Sequence, residues 1–297
     1  MRILIGILHC IENEFEDCLT ALKAQTYQDW DYFVLRNMPN KEAHDSLYAE
    51  FMNKACDFDL FLKVDADMVI TRNTFLQELI DQMNVNELFN HFRIGVFDHF
   101  TKRIIHAMHV YRSDVKWYKN EELYFVDMVN NQVRTKTFIK ASDPLVPAAN
   151  HCPNPSSFQS FHFGLHKVSK IIQTGASVKN EVMARVHLET VKRVFELHEN
   201  NMCLLGIVWA FSNKVSSKEV DYNSNSVLEA HQYYHNKPTH ELEIIIGDWI
   251  KSNPFDIRSD VWDEFAVRFY TLGQPFWIAQ IKSWLWKIKR LKLFTYN

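Results

Sequence analysis

The sequence predicts an α/β protein: a mostly parallel central sheet flanked by helices, followed by a mainly helical C-terminal region. Three observations predict it. Short apolar runs alternate with segments of helical periodicity near the N-terminus, the third run ends in a pair of acids (KVDADMV, 63–69), and helical spacing dominates the later part of the chain. At 297 residues, 47% of them hydrophobic, the chain can bury a sizeable core without disulfide or metal staples.

Ile3 to Leu8 is a β-branched and Leu run that predicts a first strand. Phe15, Cys18, Leu19 and Leu22 then recur at the spacing of a half-buried helix. The unit repeats with a strand at Tyr32 to Leu35, a turn at NMPN, and Ala43, Leu47 and Phe51 on one helix face. Leu60 to Val64 is the third strand. A helix bearing Phe75, Leu76, Leu79, Ile80 and Met83 follows, and Thr74 with Gln77 predicts a capping box at its start. Ligands of such sheets bind beyond the carboxyl ends of the strands, where Asp65 and Asp67 would lie. Further strands are expected at Arg93 to Phe97, Ile104 to Tyr111 and Lys136 to Ala141. HCPNPSSFQSFHFG reads as turn-rich, ahead of a long helix in which Val182, Val186, Val194 and Leu197 share a face opposite Arg185, Glu189, Lys192 and Glu196. No repeat or flexible hinge interrupts the chain, so the expected division is a ligand-binding and catalytic domain over 1–165 and a helical region packed on it over 166–297.

The net charge of -3 hides an asymmetry: after Glu264 there is no acid, and Arg268, Lys282, Lys287, Lys289, Arg290 and Lys292 are all basic. An acidic body with a basic tail argues against a nucleic-acid partner. The odd set Cys10, Cys18, Cys56, Cys152 and Cys203 has no CxxC spacing and mostly falls in apolar patterns, which points to free thiols in a reducing cytoplasm. MRILIGILHCIENE is too short in its apolar run for a membrane span and lacks a cleavage site, so it reads as a strand.

Two aspartates one residue apart can serve one ion only where the chain turns, as it does on leaving a sheet. Hard divalent cations favour such oxygens and keep positions open for phosphate oxygens, which suits the departure of a phosphate-linked group. A bare D-x-D also suits an ordinary strand end or helix cap.

CLTALKAQTYQDWDYFVLRN, followed by DLFLKVDADMVI, resembles the nucleotide-sugar-binding half of GT-A fold glycosyltransferases, particularly the family-2-like group. Cys18, Leu19, Leu22, Gln25, Thr26 and Tyr27 stand at matching positions, and the resemblance covers roughly the first 80 residues. It implies a Rossmann-like sheet and a nucleotide-sugar donor, with a UDP-sugar favoured. It also implies Mn2+ or Mg2+ as cofactor, Asp65 near the ribose and metal, and Asp67 on the ion. His9 and its loop, with Arg36 and Asn37, would face the nucleobase. The family's acidic turn after the second strand is replaced here by RNMPN. A later histidine often completes the metal site; DPLVPAANHCPNPSS nominates His151, with His162 and His166 in reserve. An inverting transferase needs a carboxylate to deprotonate the acceptor hydroxyl. NEELYFVDMV nominates Asp127, with Glu122 and Asp114 behind it, and without such a base the enzyme would be a retaining one.

KVDADMVI also resembles the first motif of haloacid-dehalogenase phosphatases, with Asp65 as nucleophile, Asp67 as general acid and Mg2+ as cofactor; EIIIGDW (243–249) would be their late acidic strand. Against this, that motif belongs on a first strand, and two strand–helix units precede it here. Trp277, Ile281, Trp284, Leu285, Ile288 and Leu291 recur at helical spacing with Lys282, Lys287, Lys289 and Arg290 mostly opposite. Such a helix over 276–297 could lie on an anionic membrane surface or dock on protein. The combined expectation is a cytoplasmic, metal-dependent hexosyltransferase, peripheral on the inner face of the membrane. It would act on a glycan or lipid-linked glycan in bacterial surface polysaccharide or lipopolysaccharide synthesis. A non-catalytic carbohydrate- or membrane-binding protein on the same scaffold is the alternative outside enzymology.

Overall fold

The computed structural model describes residues 1–118, 133–172, 178–215 and 221–252, with backbone alone for 178–185. Asp127, Glu122 and the helix expected over 276–297 lie outside the described residues.

Strand β1 (Ile3–His9) is followed by helix α1 (Phe15–Lys23), β2 (Trp30–Arg36), α2 (Asn40–Asn53) and β3 (Leu60–Asp65). The alternating strand–helix pattern of the sequence is therefore real, and both β2 and β3 pair parallel with β1. Strands β1 and β3 are buried on both faces because each face carries a helix, while β2, at the sheet edge, is only partly covered. Ile3, Ile5 and Ile7 meet Phe15, Cys18 and Leu22 of α1, while Leu4 on the other face packs with Leu47 and Phe51 of α2.

After β3 come β4 (Met68–Ile70), α3 (Phe75–Val85), β5 (His91–Asp98), β6 (Arg103–Arg112), β7 (Thr135–Phe138) and β8 (Ala149–His151). The sheet order is β2-β1-β3-β6-β5-β8-β4, with β7 also on β5. The fold class is α/β as expected, with β1–β2, β1–β3, β5–β7 and β5–β8 paired parallel and an antiparallel component beside them. β6 runs antiparallel to both β3 and β5, and β4 antiparallel to β8. The physical reason is the short connection at 99–102: a tight link can join only antiparallel strands, since a parallel partner needs a long crossover.

The remaining described elements are helical: α4 (Ser157–Ile172), α5 (Val178–Leu197), α6 (Asn201–Asn213), α7 (Asn225–His235) and α8 (Thr239–Ser252). Helix α4 runs across residue 165, where the division between the two regions was placed. It also takes up SFQSFHFG, read above as part of a turn-rich stretch. Residues 158–165 are buried all round, and the prolines at 153 and 155 just ahead of them give the stretch its turn-rich reading. EIIIGDW lies within α8 and is not a strand, which removes the late acidic strand that the phosphatase reading required.

The capping box at Thr74 and Gln77 does not form. Thr74 has helical dihedrals, φ -93 and ψ -2, and its hydroxyl reaches the Glu78 carboxylate at 2.6 Å. The Leu76 N–H donates instead to the Gln25 side-chain oxygen at 3.0 Å, while Gln25 Nε2 donates to the carbonyls of Ala21 and Arg72. The QTY segment is thus a clamp: Thr26 N–H and hydroxyl both donate to the Asn73 carbonyl, and the Tyr27 hydroxyl donates to the Met1 carbonyl. It fixes the chain leaving the D-x-D turn against α1.

Candidate functional site

The carboxyl ends of β1, β2 and β3 open into a cleft of about 280 Å³. Register sets who meets there: Leu8 lies beside Asp65, and His9 beside Arg36. Asp65 ends β3, the Ala66 N–H donates to the Leu8 carbonyl, and the chain turns at Asp67 into β4. Strand β8 then lies antiparallel to β4 with His151 opposite Met68, so two segments 84 residues apart deliver Asp67 and His151 together. His151 Nε2 stands 3.4 Å from Asp67 Oδ2.

Two residues not anticipated from the sequence complete this junction. His151 Nδ1 is 2.7 Å from Asp98 Oδ1, and Asp98, fully buried at the end of β5, has its other oxygen held by the Thr101 N–H and hydroxyl. A carboxylate behind the imidazole fixes the ring so that Nε2 faces Asp67. Cys152 Sγ donates to Asp67 Oδ2 at 3.1 Å. Burial would raise the Asp67 carboxyl, but the charge and hydrogen bond of His151 overcome it and hold the group below its ordinary value. Burial would likewise lower His151, and its acidic surroundings, Asp67 and Asp98 among them, carry it well above the ordinary imidazole value.

Asp67 Oδ1 is buried and has no hydrogen-bond partner among the described residues. A carboxylate oxygen is not left so without cost, and a cation would satisfy it. The orphaned oxygen, the neighbouring imidazole and the open cleft together fit a divalent cation. Asp65 is not in this cluster: its carboxylate is 3.2 Å from the buried Lys63 ammonium. His162 and His166 lie on α4 in the facing wall of the cleft and do not join the ligand group.

His9 lines the cleft, stacked on Phe15 with ring centroids 4.1 Å apart, and its Nδ1 is 2.8 Å from Arg36 Nη1. The Arg36 guanidinium also lies over the Phe15 ring, 4.5 Å from its centroid. Arg36 and Asn37 are exposed and outside the cleft lining, whereas Leu35 and Met38 of the same stretch contribute to it. Asn37 has φ 55, a left-handed turn that carries the chain off β2. Asp114 is exposed, accepts from Asn90 Nδ2 at 3.4 Å, and does not line the cleft.

The cleft also carries groups that could meet an anion. Lys167 and Lys170 project from α4, and Lys63 from β3. Burial lowers the Lys167 ammonium from its usual value, with Asp98 and its neighbours pulling the other way. Glu12, in the loop after β1, lines the same cleft, and burial pushes its carboxyl up to about 7. The motifs gave Glu12, Asp98, Cys152 and Lys63 no role; their places in the fold mark them. Among the described residues, no helix is long and apolar enough to cross a membrane.

No protein-family model matches the chain, and no curated protein matches it. Solved structures with some likeness include A197 from STIV, at 15% identity and a TM-score of 0.35, covering 47% of this chain and 82% of that one. S. aureus TarS 1-349 is 11% identical at a TM-score of 0.32, covering 87% and 95%. The mannosyltransferase PcManGT from Pyrobaculum calidifontis, in complex with GDP-Man and Mn2+, is 8% identical at a TM-score of 0.36, covering 85% and 87%. At these identities and TM-scores the likenesses assign the chain to no family.

Proposed function

We propose that the protein is a glycosyltransferase that moves a sugar from a nucleotide-diphosphate sugar to a hydroxyl of a glycan or glycolipid, with a divalent cation held by Asp67 and His151. The observation that carries this reading is the buried Asp67 carboxylate, with Oδ2 3.4 Å from His151 Nε2 and Oδ1 without a hydrogen-bond partner among the described residues, at the carboxyl end of a parallel strand pair, in a cleft that also presents lysines. The resemblance of residues 18–37 and 59–70 to the donor-binding half of GT-A enzymes agrees with that placement.

In this reading Asp67 and His151 bind the cation, and Asp98 keeps His151 in register. The bound cation would neutralise charge developing on the two phosphates as the bond to the sugar breaks. Lys167 and Lys170 would hold phosphate or acceptor oxygens from the α4 side. His9, held in place by Phe15 and Arg36, would border the base, with a UDP-sugar the first donor to test. The base that deprotonates the acceptor is assigned to Asp127 or Glu122. The donor-binding and catalytic part is assigned to 1–165 and the helical remainder to 166–297, with the basic segment 276–297 at an anionic membrane surface.

Thermal-shift and calorimetric titration with UDP-, GDP- and CDP-sugars, with and without divalent cation, test the reading. One donor should bind only with cation, and Asp67→Ala should abolish that binding. Donor binding that survives Asp67→Ala unchanged would overturn the cation assignment. Cation-dependent donor binding with no release of nucleoside diphosphate in the presence of glycan acceptors would favour a binding protein over a transferase.

A further inference from the structure

His151 and Cys152 are consecutive, and consecutive residues of an extended strand point to opposite faces. Here both reach the same carboxylate oxygen. The break that allows it is visible in the backbone: Cys152 has φ 49, a left-handed conformation that a non-glycine side chain rarely adopts. The Cys152 N–H is tied to the Asp67 carbonyl at 2.8 Å, so the turn is held to the D-x-D segment itself. A cysteine kept in such a conformation at a cleft points to a function for its sulfur.

The donor atoms form a compact triangle. Asp67 Oδ2 to His151 Nε2 is 3.4 Å, Asp67 Oδ2 to Cys152 Sγ is 3.1 Å, and His151 Nε2 to Cys152 Sγ is 3.8 Å. A tetrahedral ion with nitrogen and oxygen at about 2.0–2.1 Å and sulfur at about 2.3 Å sets its donors roughly 3.3–3.6 Å apart, so each side is within about half an ångström of that spacing. Asp98 already holds the second nitrogen of His151, the support that a metal-bound imidazole commonly has.

We propose that Asp67, His151 and Cys152 form a three-donor centre for a thiolate-accepting divalent ion of the Zn2+ or Co2+ class, in preference to Mg2+, with the fourth position facing the cleft. The proposal rests on the reading of Asp67 and His151 as cation ligands and adds both the third ligand and the class of ion. Oxygen-only sites select hard ions, whereas one sulfur and one imidazole nitrogen shift the preference toward borderline ones. On binding, the Cys152 S–H and His151 Nε2–H bonds break, sulfur and nitrogen each donate an electron pair to the ion, and both protons pass to solvent. No redox change is involved.

The test uses the full chain in a Cys10→Ser, Cys56→Ser background, so that the more accessible thiols cannot contribute. Co2+ titration should produce a near-ultraviolet thiolate-to-cobalt charge-transfer band together with visible bands of tetrahedral intensity, and Zn2+ should displace both. Cys152→Ser should abolish the charge-transfer band and weaken Zn2+ at least tenfold, while Mn2+ affinity changes less than threefold. X-ray absorption at the zinc edge of the background protein, which needs no variant at the site, should show one sulfur neighbour at about 2.3 Å. An absent sulfur neighbour, or unchanged Zn2+ affinity in Cys152→Ser, would overturn the proposal. If Mn2+ still binds through Asp67 and His151 in that case, the thiol assignment fails alone and the proposed function stands. If no divalent ion binds, both fail.

Discussion

The groups at the cleft act on one another through charge as much as through contact. Glu12 shows it: burial raises its carboxyl to about 7, the Cys10 N–H opposes this from 2.5 Å, and Asp67 and Asp65 add to the rise. The folded protein therefore holds this proton more tightly than the unfolded chain, whose glutamate titrates near ~4.3. Stability from this group is complete at pH below that value and declines as pH rises to about 7, where the ionised form carries its full penalty. In urea unfolding with EDTA present, Glu12→Gln should flatten the decline between pH 5 and pH 8 and add on the order of 1–3 kcal/mol at the alkaline end. An unchanged slope would show that Glu12 is solvated. A carboxyl poised near neutrality is also suited to exchanging protons at working pH.

At the scale of elements, the most informative surprise is who caps α3. Gln25 is 2% exposed, and its amide serves the Leu76 N–H and the carbonyls of Ala21 and Arg72 at once. Its position in QTY supported a resemblance to donor-binding folds; its physical task is to fasten α1 to the loop that follows Asp67. Gln25→Ala strands one buried donor and leaves two carbonyls short of a partner, so chemical denaturation should show a loss of about 1–3 kcal/mol. A loss under about 0.5 kcal/mol would mean that water or local rearrangement replaces the clamp. Gln25→Glu keeps the acceptor but removes the donor, and should fall between the two. The helix was legible from Phe75, Leu76, Leu79, Ile80 and Met83, but its cap was not. A side chain 51 residues away supplies it, and spacing rules see only neighbours.

For the whole molecule, the cleft lies where separately packed apolar clusters meet. The sheet and helices α1 and α3 bury one apolar cluster, while α4 to α8 bury another that includes Phe100, Cys152 and Phe163 next to the site. Helix α4 contributes Lys167 to the cleft and packs closely on α6. That packing depends on two glycines. A Cβ at Gly164 would lie 2.1 Å from the Cys203 carbonyl oxygen, and one at Gly206 would lie 2.0 Å from that of Phe161. The colliding atoms are backbone, so the helices would have to separate. Gly164→Ala should cost about 3 kcal/mol, read as a Tm several degrees lower, and should also weaken donor binding because Lys167 moves with the helix. An unchanged Tm would show that α4 can shift without loss.

What the sequence by itself determined was local order. The spacing of Phe15 to Leu22 and Ala43 to Phe51 and the apolar runs before them specified the parallel β1, β2 and β3, and hence the place of Asp65 and Asp67 at strand ends. Periodicity reports a helix or strand that has one wet face, so α1 and α3 could be read. Helix α6 buries residues on nearly every side and could not be read in the same way, while α4 was hidden by the turn signal of the prolines ahead of it. Only the tertiary structure decided which side chains converge. Antiparallel pairing of β4 with β8 carried His151 to Asp67, the left-handed turn at Cys152 brought its sulfur to the same oxygen, and the end of β5 placed Asp98 behind the imidazole. Those meetings depend on strand order and register across more than 80 residues, which spacing along the chain does not encode.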